Sequence, residues 1–131
     1  MVRILNPVGE FKRETEHSQS GKMDLKIGDI PVLSRVIVAD EDVELKAGQS
    51  ISIKIKEIDI PAKHIAIIGS YAANRYGQPI AVGSKTHIPL AMDKVADKTA
   101  FVVCDDGRLE KGDLLGFLSL IPVEIINELV K

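Results

Sequence analysis

Hydrophobic and polar positions alternate along most of this chain beyond residue 30, and the alternation predicts strands. Ile51-Ser52-Ile53-Lys54-Ile55 carries isoleucine at every second position, the period of a half-buried strand. Ile58 and Ile60 continue the alternation one position out of step with Ile55. A β-bulge near Lys56-Glu57 returns all five isoleucines to one face. Pro61 stops that strand, His64-Ile65-Ala66-Ile67-Ile68 reads as the next, and Gly69 ends it. Val36-Ile37-Val38-Ala39 is a short apolar run, and Ile80-Ala81-Val82 starts a strand that ends at Gly83. Residues 70–79 read as a loop or short turn. Ala100-Phe101-Val102-Val103-Cys104 is a continuous apolar run of the buried-strand kind. Leu114 to Ile121 is the last long strand, with Pro122 limiting its pairing. Asp93 to Lys98 predicts one helical turn with Asp93 as N-cap. Residues 9–24 are weakly patterned, read as an edge strand and mobile loop or as a flexible arm.

The turns repeat. Leu25-Lys26-Ile27-Gly28-Asp29, Leu45-Lys46-Ala47-Gly48-Gln49 and Leu109-Glu110-Lys111-Gly112-Asp113 share Leu, two residues, Gly, then Asp or Gln, and an apolar run follows each. Glycine at a fixed place in a charged turn supplies positive φ at the entry to a strand. Asp105-Asp106-Gly107 is a further turn signal. No predicted helix is long enough to cover a sheet, so the sheet must bury its own apolar faces. The expectation is a mainly β fold with one or two short helical turns: a folded-over sheet or a small barrel. It forms a single domain over residues 1–131, less regular over 1–29.

Composition narrows the classes. Aromatic residues make up 4% with no Trp, too few for the stacking platforms of single-strand nucleic-acid binders. A net charge of −2 with scattered Lys and Arg argues against a nucleic-acid footprint. One cysteine, Cys104, excludes an internal disulfide and cysteine-rich zinc sites. The start, Met1 to Pro7, turns polar too soon for a signal peptide, and apolar runs are too short for a membrane span. The cytoplasm is the expected compartment.

The stretch from Leu45 to Gly77 sets a Leu-x-x-Gly turn before an alternating strand, then Ile60-Pro61, then the small apolar run Ala62 to Ile68, then Ser70-Tyr71-Ala72-Ala73-Asn74-Arg75. This order resembles the dUTPase-like proteins, and Glu110 to Leu118 resembles their Lys-Gly-Asp turn and the strand after it. SAF-type and antifreeze-III-like domains share that turn, so the resemblance implies a β-clip. Over roughly residues 30–123 the whole chain is similar to an archaeal family of unknown function, number twenty-two in the domain-of-unknown-function series. The dUTPase pattern is incomplete: Met23 to Asp29 has carboxylates without the Asp-x-Gly-x-Asp spacing. The hairpin carrying the catalytic Asp and stacking Tyr, and the Gly-rich tail, are missing. Ser70 aligns roughly with the phosphate-contacting Ser, but Arg75 is displaced. A triphosphate site needs converging donors and Mg²⁺ ligands, and only fragments are present.

The remaining chemistry is sparse. His64 and His87 could bind a transition metal, but a hydrogen-bonded strand histidine is the more economical reading. Cys104 beside Asp105 and Asp106 lacks the basic neighbour that activates a thiol, so it reads as a buried small hydrophobe before a polar turn. The loop 70–78 is the most hydrogen-bond-capable segment between apolar strands. Ser70, Asn74, Arg75 and Gln78 are its candidate ligand-binding residues, against the plainer reading of a solvated loop. No nucleophile, base and orienting group occur together, so no catalytic residue, metal or cofactor is assigned. The leading expectation is a non-enzymatic module that self-assembles as a dimer or trimer or binds a partner chain, with no nucleic acid and no membrane. The apolar segment Val123 to Val130 is its best contact candidate. The alternatives are small-ligand or nucleotide binding through the 70–78 loop, or a degenerate dUTPase-like hydrolase.

Overall fold

The structure, a computed structural model, describes residues 22–69, 73–85 and 90–126. Nine strands lie in these residues: β1 (Lys22–Ile27), β2 (Ile30–Val38), β3 (Val43–Leu45), β4 (Ser50–Ile60), β5 (His64–Ile68), β6 (Gly77–Gly83), β7 (Lys94–Val103), β8 (Gly107–Leu109) and β9 (Leu114–Pro122). They form three antiparallel sheets in the orders β1-β2-β9-β5, β3-β8 and β4-β7-β6, without closing into a barrel.

One folded ribbon organises the molecule. The segment β2-β3-β4 runs antiparallel along β7-β8-β9 for its whole length: Leu33 faces Leu120, Val43 faces Leu109, Ser50 faces Val102 and Ile60 faces Lys94. The ribbon bends at the three-residue strands β3 and β8, so its ends face each other across the core. Ile37, Ile53, Ile55, Phe101, Leu115, Leu118 and Leu120 are almost wholly buried there, in one cluster drawn from both ends. The mainly β, folded-over architecture therefore holds.

The turn repeat is built as the sequence implies. Gly28, Gly48 and Gly112 have φ of 62°, 88° and 100°, a region that side chains with a Cβ rarely adopt. Gly28-Asp29 closes the two-residue β1–β2 hairpin. The second and third copies are further related to each other. Gly48 N–H donates to the Val103 carbonyl at 2.9 Å, and Gly112 N–H donates to the Ala39 carbonyl at 2.8 Å. Gln49 Oε1 accepts from Lys46 N–H, and Asp113 Oδ2 accepts from Glu110 N–H. Each pair of equivalent positions is 64 residues apart, and Glu44 and Arg108, equivalent by that spacing, face each other across the ribbon. The two halves of the ribbon are thus related by an approximate twofold.

The isoleucine phase slip in β4 is a bulge. Lys54 pairs with Lys98 and Ile58 with Ala96, so residues 55–57 stand opposite Asp97 alone. Ile53, Ile55, Ile58 and Ile60 are all buried as a result, with Ile51 packed at the margin of the same cluster. Two sequence readings are corrected. Residues 93–98 form no helical turn: Lys94 opens the ten-residue β7, and Asp93 Oδ1 instead accepts from the distant Ala62 N–H at 2.8 Å. Cys104 is exposed rather than buried, because it lies one residue past β7, where its N–H donates to the Tyr76 carbonyl. Most of residues 9–24, with His87, Ser70 and residues 127–130, lies outside the described residues.

Candidate functional site

The connection from β5 to β6 carries the candidate loop, and its polar side chains mostly hold backbone. Gln78 Nε2 donates to the Gly69 carbonyl at 3.1 Å, tying the start of β6 to the end of β5. Asn74 Nδ2 donates to the Leu114 carbonyl at 3.0 Å, while its Oδ1 accepts from Tyr76 N–H at 2.9 Å. Asn74 thereby fixes the loop to β9 and shapes its turn, and Gln78 ties it to the end of β5. Arg75 is exposed, with its guanidinium 5.1 Å from the centroid of the Tyr76 ring. Of Asn74, Arg75 and Gln78, only Arg75 is exposed. Ser70 lies outside the described residues.

The chain passes tightly beneath this loop. The Tyr76 carbonyl accepts from Cys104 N–H at 2.7 Å and from Asp105 N–H at 3.2 Å. A Cβ at Gly77 would collide with the Val102 carbonyl and the Phe101 ring, and one at Gly107 would collide with the Tyr76 ring. The sequence 74–78 is therefore shaped to let backbone approach backbone.

Among the described residues, two grooves lie away from the loop. One of about 470 Å³ is lined by Asp59, Ile60, Pro61, Asp93, Lys94 and Val95. The other, about 330 Å³, is lined by Glu41, Ser52, Lys54, Asp97 and Lys98 and lies over the β4 bulge. Asp97 Oδ1 is buried there without a hydrogen-bond partner, and Glu41 Oε2 accepts from Lys54 N–H at 2.7 Å. Nothing local in the sequence marks these residues, since the bulge brings them together. Among the described residues no group of three His, Cys, Asp or Glu side chains is placed to hold a metal ion. His64 Nδ1 lies 2.9 Å from the Ala62 carbonyl; a carbonyl only accepts, so Nδ1 carries the hydrogen. Arg108 has its pKa raised by the hydrogen bond and charge of Glu44, 2.7 Å away.

The outer face of the four-stranded sheet carries apolar residues that the core cluster does not use. The register places Leu25 and Ile27 of β1, Ile30 and Val32 of β2, Ile121 of β9, and Ile65 and Ile67 of β5 on one side. Leu118, Leu120 and Ile37 project to the other side, into the core. Ile27 is 61% exposed, Ile30 48% and Ile67 47%, toward the two edges of the sheet, while Val32 between them is 2% exposed. On the C-terminal segment, Val123 N–H donates to the Lys63 carbonyl, and Ile125 and Ile126 are exposed.

These features define an all-β module built on a doubled, folded ribbon, with an apolar sheet face and no assembled catalytic group among the described residues. The chain belongs to the family described as Domain of unknown function DUF22, which matches it over residues 1–107. It is 33% identical over 124 residues to an uncharacterized protein of Methanocaldococcus jannaschii, an alignment covering 95% of this chain and 94% of that protein. No solved structure matches. No helix among the described residues is long and apolar enough to cross a membrane.

Proposed function

We propose that this protein is a non-enzymatic, cytoplasmic β-clip-like module that works by assembly, with further copies of itself or with a partner chain. The observation that carries the reading is the outer face of the β1-β2-β9-β5 sheet. Leu25, Ile27, Ile30, Ile65 and Ile67 each leave more than a third of their surface open to water on that one face. Scattered exposed apolar residues are ordinary, but two exposed apolar groups on one sheet face, Leu25, Ile27 and Ile30 at one edge and Ile65 and Ile67 at the other, mark contact surface. The committed amides of Asn74 and Gln78 favour this over a ligand site in the 70–78 loop. The exposed, unpaired Cys104 suits a reducing compartment. Sedimentation velocity across a micromolar concentration series tests the reading. The expected species is heavier than the 14.3 kDa chain, and a single species of one-chain mass contradicts self-assembly.

A further inference from the structure

A sheet edge carries unpaired backbone groups, and soluble proteins usually guard such edges with charges, prolines, bulges or very short strands. Three edges here are guarded. β1 carries Asp24 and Lys26, β4 carries Lys54, Lys56, Glu57 and Asp59 around its bulge, and β6 contains Pro79. β5 is the exception: His64-Ile65-Ala66-Ile67-Ile68 has no acidic or lysine side chain, no proline and no register slip, and among the described residues it pairs on one side only, with β9.

The open side of β5 can be specified. Gly69 N–H donates to the Phe117 carbonyl and Val123 N–H donates to the Lys63 carbonyl, each at 2.9 Å. Hydrogen-bonded pairs alternate along an antiparallel ladder, so Ile65 with Ile121 and Ile67 with Ser119 are the bonded pairs between them. Pro122, which has no donor, falls opposite His64 in a non-bonded pair, as this alternation requires. The backbone groups of His64, Ala66 and Ile68 therefore point away from β9. Among the described residues none of them has a hydrogen-bond partner on that side.

These three outward positions are symmetric about Ala66. An identical strand in antiparallel orientation satisfies all of them: His64 opposite Ile68 of the copy, Ala66 opposite Ala66, and Ile68 opposite His64. Antiparallel pairing of a strand with itself is a closed twofold contact, which needs no second kind of surface. We propose that β5 pairs in this way with β5 of a second copy, joining two four-stranded sheets into one of eight strands. The inference rests on the assembly reading above and adds the place and symmetry of one contact, at the β5 edge of that face. In this arrangement Ile65 faces Ile67 of the copy on the outer face, at the close spacing of a non-bonded pair. Two isoleucines, 39% and 47% exposed in the single chain, thereby become a cluster of four across the twofold.

Two measurements test it. Hydrogen exchange on the unmodified protein should show slow amides at Ala66 and Ile68, comparable to those inside β9. The second is cross-linking of Ala66→Cys in a Cys104→Ser background. Opposed residues of a bonded antiparallel pair have Cα atoms about 5.5 Å apart, within disulfide range. Mild oxidation should then give a covalent dimer, while Ile27→Cys in the same background, far from β5 on the same face, should not. An intact protein that sediments as an oligomer, with fast exchange at Ala66 and Ile68 and no Ala66→Cys dimer, overturns the β5 contact but leaves the assembly reading standing. A monomeric intact protein overturns both the β5 contact and self-assembly.

Discussion

Asp42 and Asp106 do the same work at reciprocal positions of the ribbon. Asp42 Oδ1 accepts from Lys111 N–H in the turn after β8, and Asp106 Oδ1 accepts from Ala47 N–H in the turn after β3, both at 2.8 Å. Each half of the ribbon thus caps the Gly turn of the other. The sharp bend at β3 and β8, which lets the ribbon close on its core, is held by this exchange. Replacing Asp106 with Ala removes one charge-assisted bond at the surface and should cost about 1 kcal/mol. Asp42→Ala also removes the exposed ion pair to Arg108 at 3.5 Å and should cost slightly more. Asn, which keeps the acceptor, should cost less than half of that. Urea unfolding of the four single variants checks the order, and Ala variants as stable as the parent would contradict it.

The two kinds of turn glycine should respond differently to Ala. Gly48 and Gly112 have open space where a Cβ would go, so Ala meets only the strain of positive φ, about 1–2 kcal/mol. At Gly77 the obstacle is the Val102 backbone carbonyl, which cannot step aside, so Gly77→Ala should cost several kcal/mol. Thermal unfolding midpoints rank them. Equal losses at Gly48 and Gly77 would refute the steric distinction.

The two faces of the four-stranded sheet should also separate by mutation. Leu118→Ala opens a cavity in the core and should cost about 2–5 kcal/mol. Ile27→Ala, 61% exposed in the single chain, should cost less than about 1 kcal/mol even with that face engaged. Denaturant midpoints measured at one protein concentration read the difference, and similar losses at the two positions would place the core on the wrong face.

No phosphate or pyrophosphate above background is expected when the protein is incubated with nucleoside triphosphates and Mg²⁺. Asn74 and Gln78 already hold the Leu114 and Gly69 carbonyls, and Arg75 is stacked beside Tyr76. Turnover abolished by Arg75→Ala or Ser70→Ala would establish the hydrolase reading instead.

Much of the fold is legible in the sequence where short-range pattern decides it. The five isoleucines of β4 announce their bulge, because a period-2 strand with a one-residue slip has few other ways to bury them. Gly28, Gly48 and Gly112 announce their turns, and His64 to Ile68 marks the bounds of β5. Long-range partners are not legible. Asp93 has the look of an N-cap, yet its carboxylate serves Ala62, and pairing of Val95 and Ala96 with Asp59 and Ile58 makes the segment a strand. The doubling of the ribbon rests on a handful of matched residues, chiefly Leu45 with Leu109, Asp42 with Asp106 and Gly48 with Gly112; hydrogen bonds rather than identities reveal it. The loop residues Asn74 and Gln78 are recognisable as hydrogen-bonding groups, but the carbonyls they serve belong to β9 and to the end of β5.

The account stands most directly on the mass of the protein in solution with its outer face intact and with that face charged. Light scattering should be run on the parent chain and on the Ile65→Lys, Ile67→Lys double variant at equal micromolar concentration. Both side chains are exposed in the single chain, so the variant should keep its β-sheet circular dichroism. The predicted result is an oligomer for the parent and a 14.3 kDa monomer for the variant. The same mass for both proteins would contradict the account.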